Sequence, residues 1–137
     1  MPEKKTIERA GRDAREGKAP TTQAGEFVRE EMEHVREGKH GARNTKQAIA
    51  IGLSKARRAG VKLPAPGRGT ARRTRRKAAQ DTRTARRGGS RRRISTRRSR
   101  ATTKALRREG HRAASKRALS RHAKSTARRR PRPSRSR

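Results

Sequence analysis

The 137 residues carry 44 Lys and Arg against 11 Asp and Glu, a net charge of +33, with one aromatic residue, Phe27, and no cysteine. Such a balance calls for an extended polyanionic partner, nucleic acid before membrane, because no apolar helical face or lipidation signal accompanies the charge. It leaves apolar area for one small core at most and excludes disulfides, cysteine-metal sites and thiol chemistry.

The chain divides at Leu63-Pro64-Ala65-Pro66-Gly67, where two prolines and a glycine stop any helix. Residues 1–63 hold 15 basic and 9 acidic side chains, whereas residues 64–137 hold 29 basic ones and only Asp81 and Glu109. Of the large apolar residues, only Ile94, Leu106 and Leu119 lie beyond the seam. The expected architecture is all-α. A small helical head (1–63) of three helices, at about 2–16, 23–37 and 46–59, precedes a basic low-complexity tail (64–137). The tail is expected to be disordered when free, with helix induced in parts on a polyanion.

The first helix ends at Gly17 and has a thin apolar stripe of Ile7, Ala10 and Ala14. Glu8/Arg12, Arg12/Glu16 and Arg9/Asp13 stand four apart and predict surface ion pairs. The second helix, with Thr21 or Thr22 as N-cap and Gly38 as stop, gathers Ala24, Phe27, Val28, Met32 and Val35 on one face. Glu26, Glu30, Glu33 and Glu37 form a stripe on the other, a candidate surface for self-association or for recruiting a protein. Glu31 falls inside the apolar arc and requires a basic partner if it is covered.

Asn44, with Gln47 three residues on, has capping-box spacing for the third helix, and Gly60 is its stop. Its packing face is Ile49, Gly52, Leu53 and Ala56, with Val61 or Leu63 folding back on the last turn. Gln47, Ile51, Lys55 and Arg58 lie on another face. If the second and third helices formed a helix-turn-helix, Lys55 and Arg58 would meet nucleic acid; the long connection favours a plain helical hairpin. Arg15-Glu16-Gly17-Lys18 recurs as Arg36-Glu37-Gly38-Lys39, a repeated helix stop with a cation at the negative end of the dipole.

The tail carries the strongest functional signal. Its candidate phosphate-binding residues are Arg72, Arg73, Arg75, Arg76, Lys77, Arg86, Arg87, Arg91, Arg92, Arg93, Arg97, Arg98, Arg107, Arg108, Arg128, Arg129 and Arg130. Guanidinium forks suit phosphate oxygens, and each neutralised phosphate releases condensed counterions without any base being read. Without Tyr or Trp there is no base-stacking platform. Arg130-Pro131-Arg132-Pro133 departs from an AT-hook, with proline where that minor-groove peptide has glycine.

Glu31-Met32-Glu33-His34 has the Glu-x-x-His spacing of di-metal bundles but no second copy, and His40, His111 and His122 sit among glycines or arginines, so no metal site is expected. No nucleophile, base and orienting group fall together, and Gly11 to Gly17-Lys18 departs from P-loop spacing. The expectation is therefore a non-enzyme with no cofactor and no small-molecule substrate. No apolar run approaches the ~20 residues of a membrane span, which points to an intracellular protein.

At Gly25–Lys39 and Thr45–Gly60, above all in Lys46-Gln47-Ala48-Ile49-Ala50-Ile51, Leu53-Ser54 and Ala56-Arg57, the chain resembles a bacterial family of small basic proteins of unknown function. Its members are sometimes labelled DNA-binding or histone-like. The resemblance covers residues 1–63 and implies a bacterial cytoplasm and little else. The tail is similar only in composition to those of linker histones and bacterial histone-like proteins, and nucleoid association is expected from its charge. The resulting expectation is sequence-tolerant DNA condensation through tail phosphate contacts. The alternatives are an RNA- or ribosome-associated basic protein, or an adaptor recruiting a protein through the acidic helix.

Overall fold

The computed structural model describes residues 2–87 and 95–130. Among them the chain is helical and has no strand, as α1 (Lys4–Arg15), α2 (Pro20–Arg36), α3 (Thr45–Arg58), α4 (Arg72–Arg86), α5 (Thr96–Arg108) and α6 (Lys116–Arg129), with a 3-10 turn at Arg112–Ala114 before α6. No helix is long and apolar enough to cross a membrane among the described residues.

The three expected glycine stops each use one device. Gly17, Gly38 and Gly60 have φ of 74°, 77° and 100°, the left-handed region that a Cβ disfavours. In each case the glycine N–H and the next N–H turn back onto the last helical carbonyls. Gly17 and Lys18 donate to Ala14 and Asp13, Gly38 and Lys39 to Val35 and His34, and Gly60 and Val61 to Arg57 and Ala56. Asn44 caps α3 as its spacing predicts, Oδ1 accepting from the Gln47 N–H at 2.9 Å while Gln47 Oε1 accepts from the Arg43 N–H. The start of α2 differs from expectation. Ala19 occupies the cap position, neither Thr21 nor Thr22 caps, and Pro20 opens the helix, its fixed φ and missing N–H costing nothing there.

Two small clusters make the core. Phe27, Ala10, Ala24 and Ala56 are buried together, with Leu53, Val61 and Leu63 against them. Met32, Val35, Ala42, Ala48, Ala113 and Ala114 form the other, flanked by Val28, Ile49 and Leu119. Most of these residues are alanines, so apolar burial depends on close backbone approach. At Gly52 a Cβ would stand 2.7 Å from Val28 Cα, which is why α2 and α3 meet at a glycine.

The second cluster draws on both sides of the proline seam, because Ala113, Ala114 and Leu119 come from beyond it. A strap from Leu106 to Ala114 is tied to the loop between α2 and α3. Gly41 N–H donates to Leu106 O (2.8 Å), Ala42 N–H to Gly110 O (3.0 Å), Thr45 Oγ1 to Ala113 O (2.7 Å) and Arg36 Nε to Ala114 O (2.9 Å). A Cβ at Gly41 would lie 1.9 Å from Glu109 O, so only glycine admits the strap there. Backbone hydrogen bonds and small side chains do this docking, and neither leaves an apolar period in the sequence.

Candidate nucleic-acid interface

Negative charge in the head is largely used inside it. The ion pairs predicted along α1 are replaced by pairs that reach off the helix: Arg9 meets Glu26 (3.8 Å), and Asp13 accepts from Lys18 (2.8 Å). Lys18 also contacts Glu16, and these two carboxylates raise its pKa. The acidic stripe of α2 is open only in part. Glu30 is buried and its Oε1 accepts the Glu3 N–H at 2.6 Å, so it supplies from α2 the cap that α1 lacks. Glu33 pairs with Arg29, and Glu37 with Lys39. Glu26 and Glu30 thus meet α1, whereas Glu33 and Glu37 stay exposed.

Glu31 is fully buried and has the basic partner its position demanded. Lys55 Nζ hydrogen-bonds Oε1, His40 Nε2 lies 3.0 Å from Oε2, and His34 Nδ1 lies 3.8 Å from Oε1. His34 Nε2 also contacts Glu3 Oε1 at 3.1 Å, and Lys39 does so at 3.3 Å. Hydrogen bonds from His34 and Lys39 hold the Glu3 carboxyl below its usual range, while Glu3 raises Lys39.

These pairings engage both α3 residues named as candidate nucleic-acid contacts. Lys55 turns inward to Glu31, and Arg58 Nε donates to Asp81 Oδ1 at 3.0 Å. Gln47 is spent on the cap, and Ile51 is half-buried. The face expected to enter a groove is occupied by α2 and α4.

Asp81 holds α4 on α3. Its buried carboxylate accepts from Ser54 Oγ (2.7 Å), Arg58 Nε (3.0 Å) and Lys77 Nζ (2.6 Å). Burial pushes its pKa up, but the bonds from Lys77, Ser54 and Arg58 outweigh it and the value falls below the usual carboxylate range. The stabilisation is thus fully present above the ordinary pKa of about 3.9 and is lost as pH falls through the lower folded value. Amide protection in α4, relative to the unstructured rate at the same pH, is expected to stay high at about pH 5 and to fall sharply towards about pH 2, and Asp81→Asn should show low protection at both. Protection of α4 that is indifferent to both changes would mean that Asp81 does not hold it.

Of the residues expected to bind phosphate, Arg72, Arg73, Arg75, Arg76, Arg86, Arg87, Arg97, Arg98, Arg107, Arg108, Arg128, Arg129 and Arg130 are exposed. Lys77 is exposed but bonded to Asp81, and Arg91, Arg92 and Arg93 lie outside the described residues. The helices arrange the exposed cations in rows instead of leaving them on an unstructured chain. Helix α5 buries no residue and packs against no other described helix; Arg100, Lys104, Arg107 and Arg108 line an open groove along it. Further exposed cations that the sequence reading passed over are Arg117, Arg121 and Lys124 on α6. Their signal was composition alone.

No curated protein and no solved structure matches the chain. Residues 3–68, just under half of its length, are similar to a family of unknown function (DUF6496); that likeness takes in α1, α2 and α3, stops before α4, and brings no DNA-binding or histone-like description with it.

Proposed function

We infer that this chain is a sequence-tolerant nucleic-acid-binding protein, with DNA favoured over RNA, that condenses its partner through arginine–phosphate contacts. One observation carries the reading. Residues 64–137 contain 29 basic side chains and two carboxylates, and both carboxylates are already engaged: Asp81 by Arg58 and Lys77, Glu109 by Arg43 at 4.0 Å. Among the described residues the other tail cations have no ion pair within the chain, and so much positive charge calls for an external counter-charge. Phosphate backbones supply it, and a bacterial nucleoid is the location this reading implies.

Order in the tail is graded. The strap is tied down by its backbone bonds, whereas α5, with nothing buried, has only helix propensity against the repulsion of its own arginines. Its helix is expected to be marginal in the free protein and to firm up once phosphates neutralise it. The preference for duplex over single strands rests on Phe27, whose burial removes the one Phe, Tyr or Trp ring that could stack on a base.

The test is a salt titration on two unrelated DNA duplexes and one single-stranded RNA. Log affinity is expected to fall with log salt by about 0.9 per phosphate neutralised, with the duplexes within about tenfold of each other. Arg97, Arg98, Arg107 and Arg108 changed together to Gln should flatten that slope by up to about 3.6, while Ile7→Ala leaves it unchanged. Substitution is preferable to truncation at residue 67, which would also uncover Met32 and Val35. A slope unmoved by the four changes, or a strong preference for one duplex, would overturn the reading.

A further inference from the structure

His40 has both ring nitrogens beside acceptors. Nδ1 lies 3.0 Å from Gly41 O, and Nε2 lies 3.0 Å from Glu31 Oε2. A carbonyl oxygen can only accept, so Nδ1 carries the hydrogen and Nε2 of the neutral ring turns a lone pair towards a carboxylate. A positive species has to fill that gap, either a second proton or a metal ion. His34 repeats the pattern around the same carboxylate, with Nε2 at 3.1 Å from Glu3 Oε1 and Nδ1 at 3.8 Å from Glu31 Oε1.

Metal-ligating histidines characteristically donate the other N–H to a carboxylate or a backbone carbonyl, which fixes the tautomer and aims the bare nitrogen. Here there is one of each. One ligand atom from each of Glu31, His34 and His40 lies within 4.8 Å of the others. Tetrahedral bonds of about 2.0–2.1 Å place neighbouring ligand atoms about 3.3 Å apart. His40 Nε2 faces Glu31 Oε2 at 3.0 Å and His34 Nδ1 faces Oε1 at 3.8 Å, so the two imidazoles address the two oxygens of one carboxylate.

The surroundings are acidic although the protein is not. Glu30 is 4 % exposed, its Oε2 has no hydrogen-bond partner, and the residue places an oxygen within 4.8 Å of His34 and Glu3. The cations present are Lys39, on Glu3, and Lys55, on Glu31. The geometry points to a transition-metal site at Glu31, His34 and His40, of the two-imidazole, one-carboxylate class that suits Zn²⁺, with the Lys55 ammonium competing for Glu31. It departs from the expectation that the histidines lie in surroundings hostile to a metal: chain neighbours of His40 are glycine and lysine, but in space it meets Glu31 and His34.

The full-length chain, stripped with a chelator, is titrated with Co²⁺ and followed by visible absorption, then back-titrated with Zn²⁺. The expected result is the intense spectrum of four-coordinate Co²⁺, bleached by Zn²⁺. His34→Gln and His40→Gln are each expected to weaken binding by at least about tenfold, and Lys55→Met to strengthen it. His111→Gln with His122→Gln, outside the cluster, should bind as the parent does. Circular dichroism of each variant separates loss of the site from loss of the fold, and Lys55→Met tests the site even where a histidine variant unfolds. A weak six-coordinate spectrum in both the parent and Lys55→Met, or affinity indifferent to His34 and His40 in folded variants, would overturn the site and leave a proton as the occupant of the gap.

Discussion

Phe27→Ala is expected to lower stability by about 3–5 kcal/mol, enough to unfold a head this small. Phe27 is 1 % exposed and is the one large fully buried apolar side chain of its cluster. Its buried companions there are Ala10, Ala24 and Ala56, which have no side chain to move into a void. The helix backbones could close the space only by separating the glycine contact at Gly52. Leu53, Val61 and Leu63 could fill part of it, so Phe27→Leu should cost much less, under about 1.5 kcal/mol. Thermal melting followed by circular dichroism measures both. Equal melting of the parent and Phe27→Ala would show that α1, α2 and α3 do not share this core.

Glu31→Leu is expected to cost about 3 kcal/mol, the lower end of what breaking a buried ion pair costs, because Lys55 still reaches solvent along one side. The change strands Lys55 Nζ and removes the carboxylate that faces His40 Nε2. Lys55→Met alone should also destabilise, leaving a carboxylate at zero exposure with imidazoles as its only partners. Together, Glu31→Leu and Lys55→Met are expected to recover most of the loss, since apolar side chains of similar volume replace buried pairs with little penalty. Urea unfolding of the four proteins in chelator gives the coupling energy directly. Strict additivity would mean that Glu31 and Lys55 do not depend on each other in the folded chain.

Where a feature depends on a few adjacent residues, it was legible in the sequence. The Arg-Glu-Gly-Lys stops, the Asn44–Gln47 cap and the apolar arc of α2 are local devices. Glu31 could be singled out as needing a cation because its place on the helix circle sets its burial. Other features required knowing which neighbour arrives. The periodicity of α2 separates its faces but does not tell which is covered, so Glu30 read as surface until α1 brought the Glu3 N–H to it. Lys55 and Arg58 read as free cations because Glu31 and Asp81 are 24 and 23 residues away in the chain. His34 and His40 meet across a helix stop, a geometry set by the left-handed Gly38 and not by their spacing. Ala113 and Ala114 carry no pattern of their own, since two small residues among arginines look like spacer.

The strap also sets an order of events for the nascent chain. Met32, Val35, Ala42 and Ala48 are synthesised early, yet the segment that completes their cover, Ala113 to Leu119, emerges some seventy residues later. During synthesis at about 5–20 residues per second, that apolar patch stays open for several seconds beside a lengthening polycation. Closing a loop of this length carries an entropic penalty that rises only as its logarithm, so the delay is set by translation more than by the search. A ribosome stalled between residues 70 and 110 would therefore present a head with one cluster complete and the other unsealed.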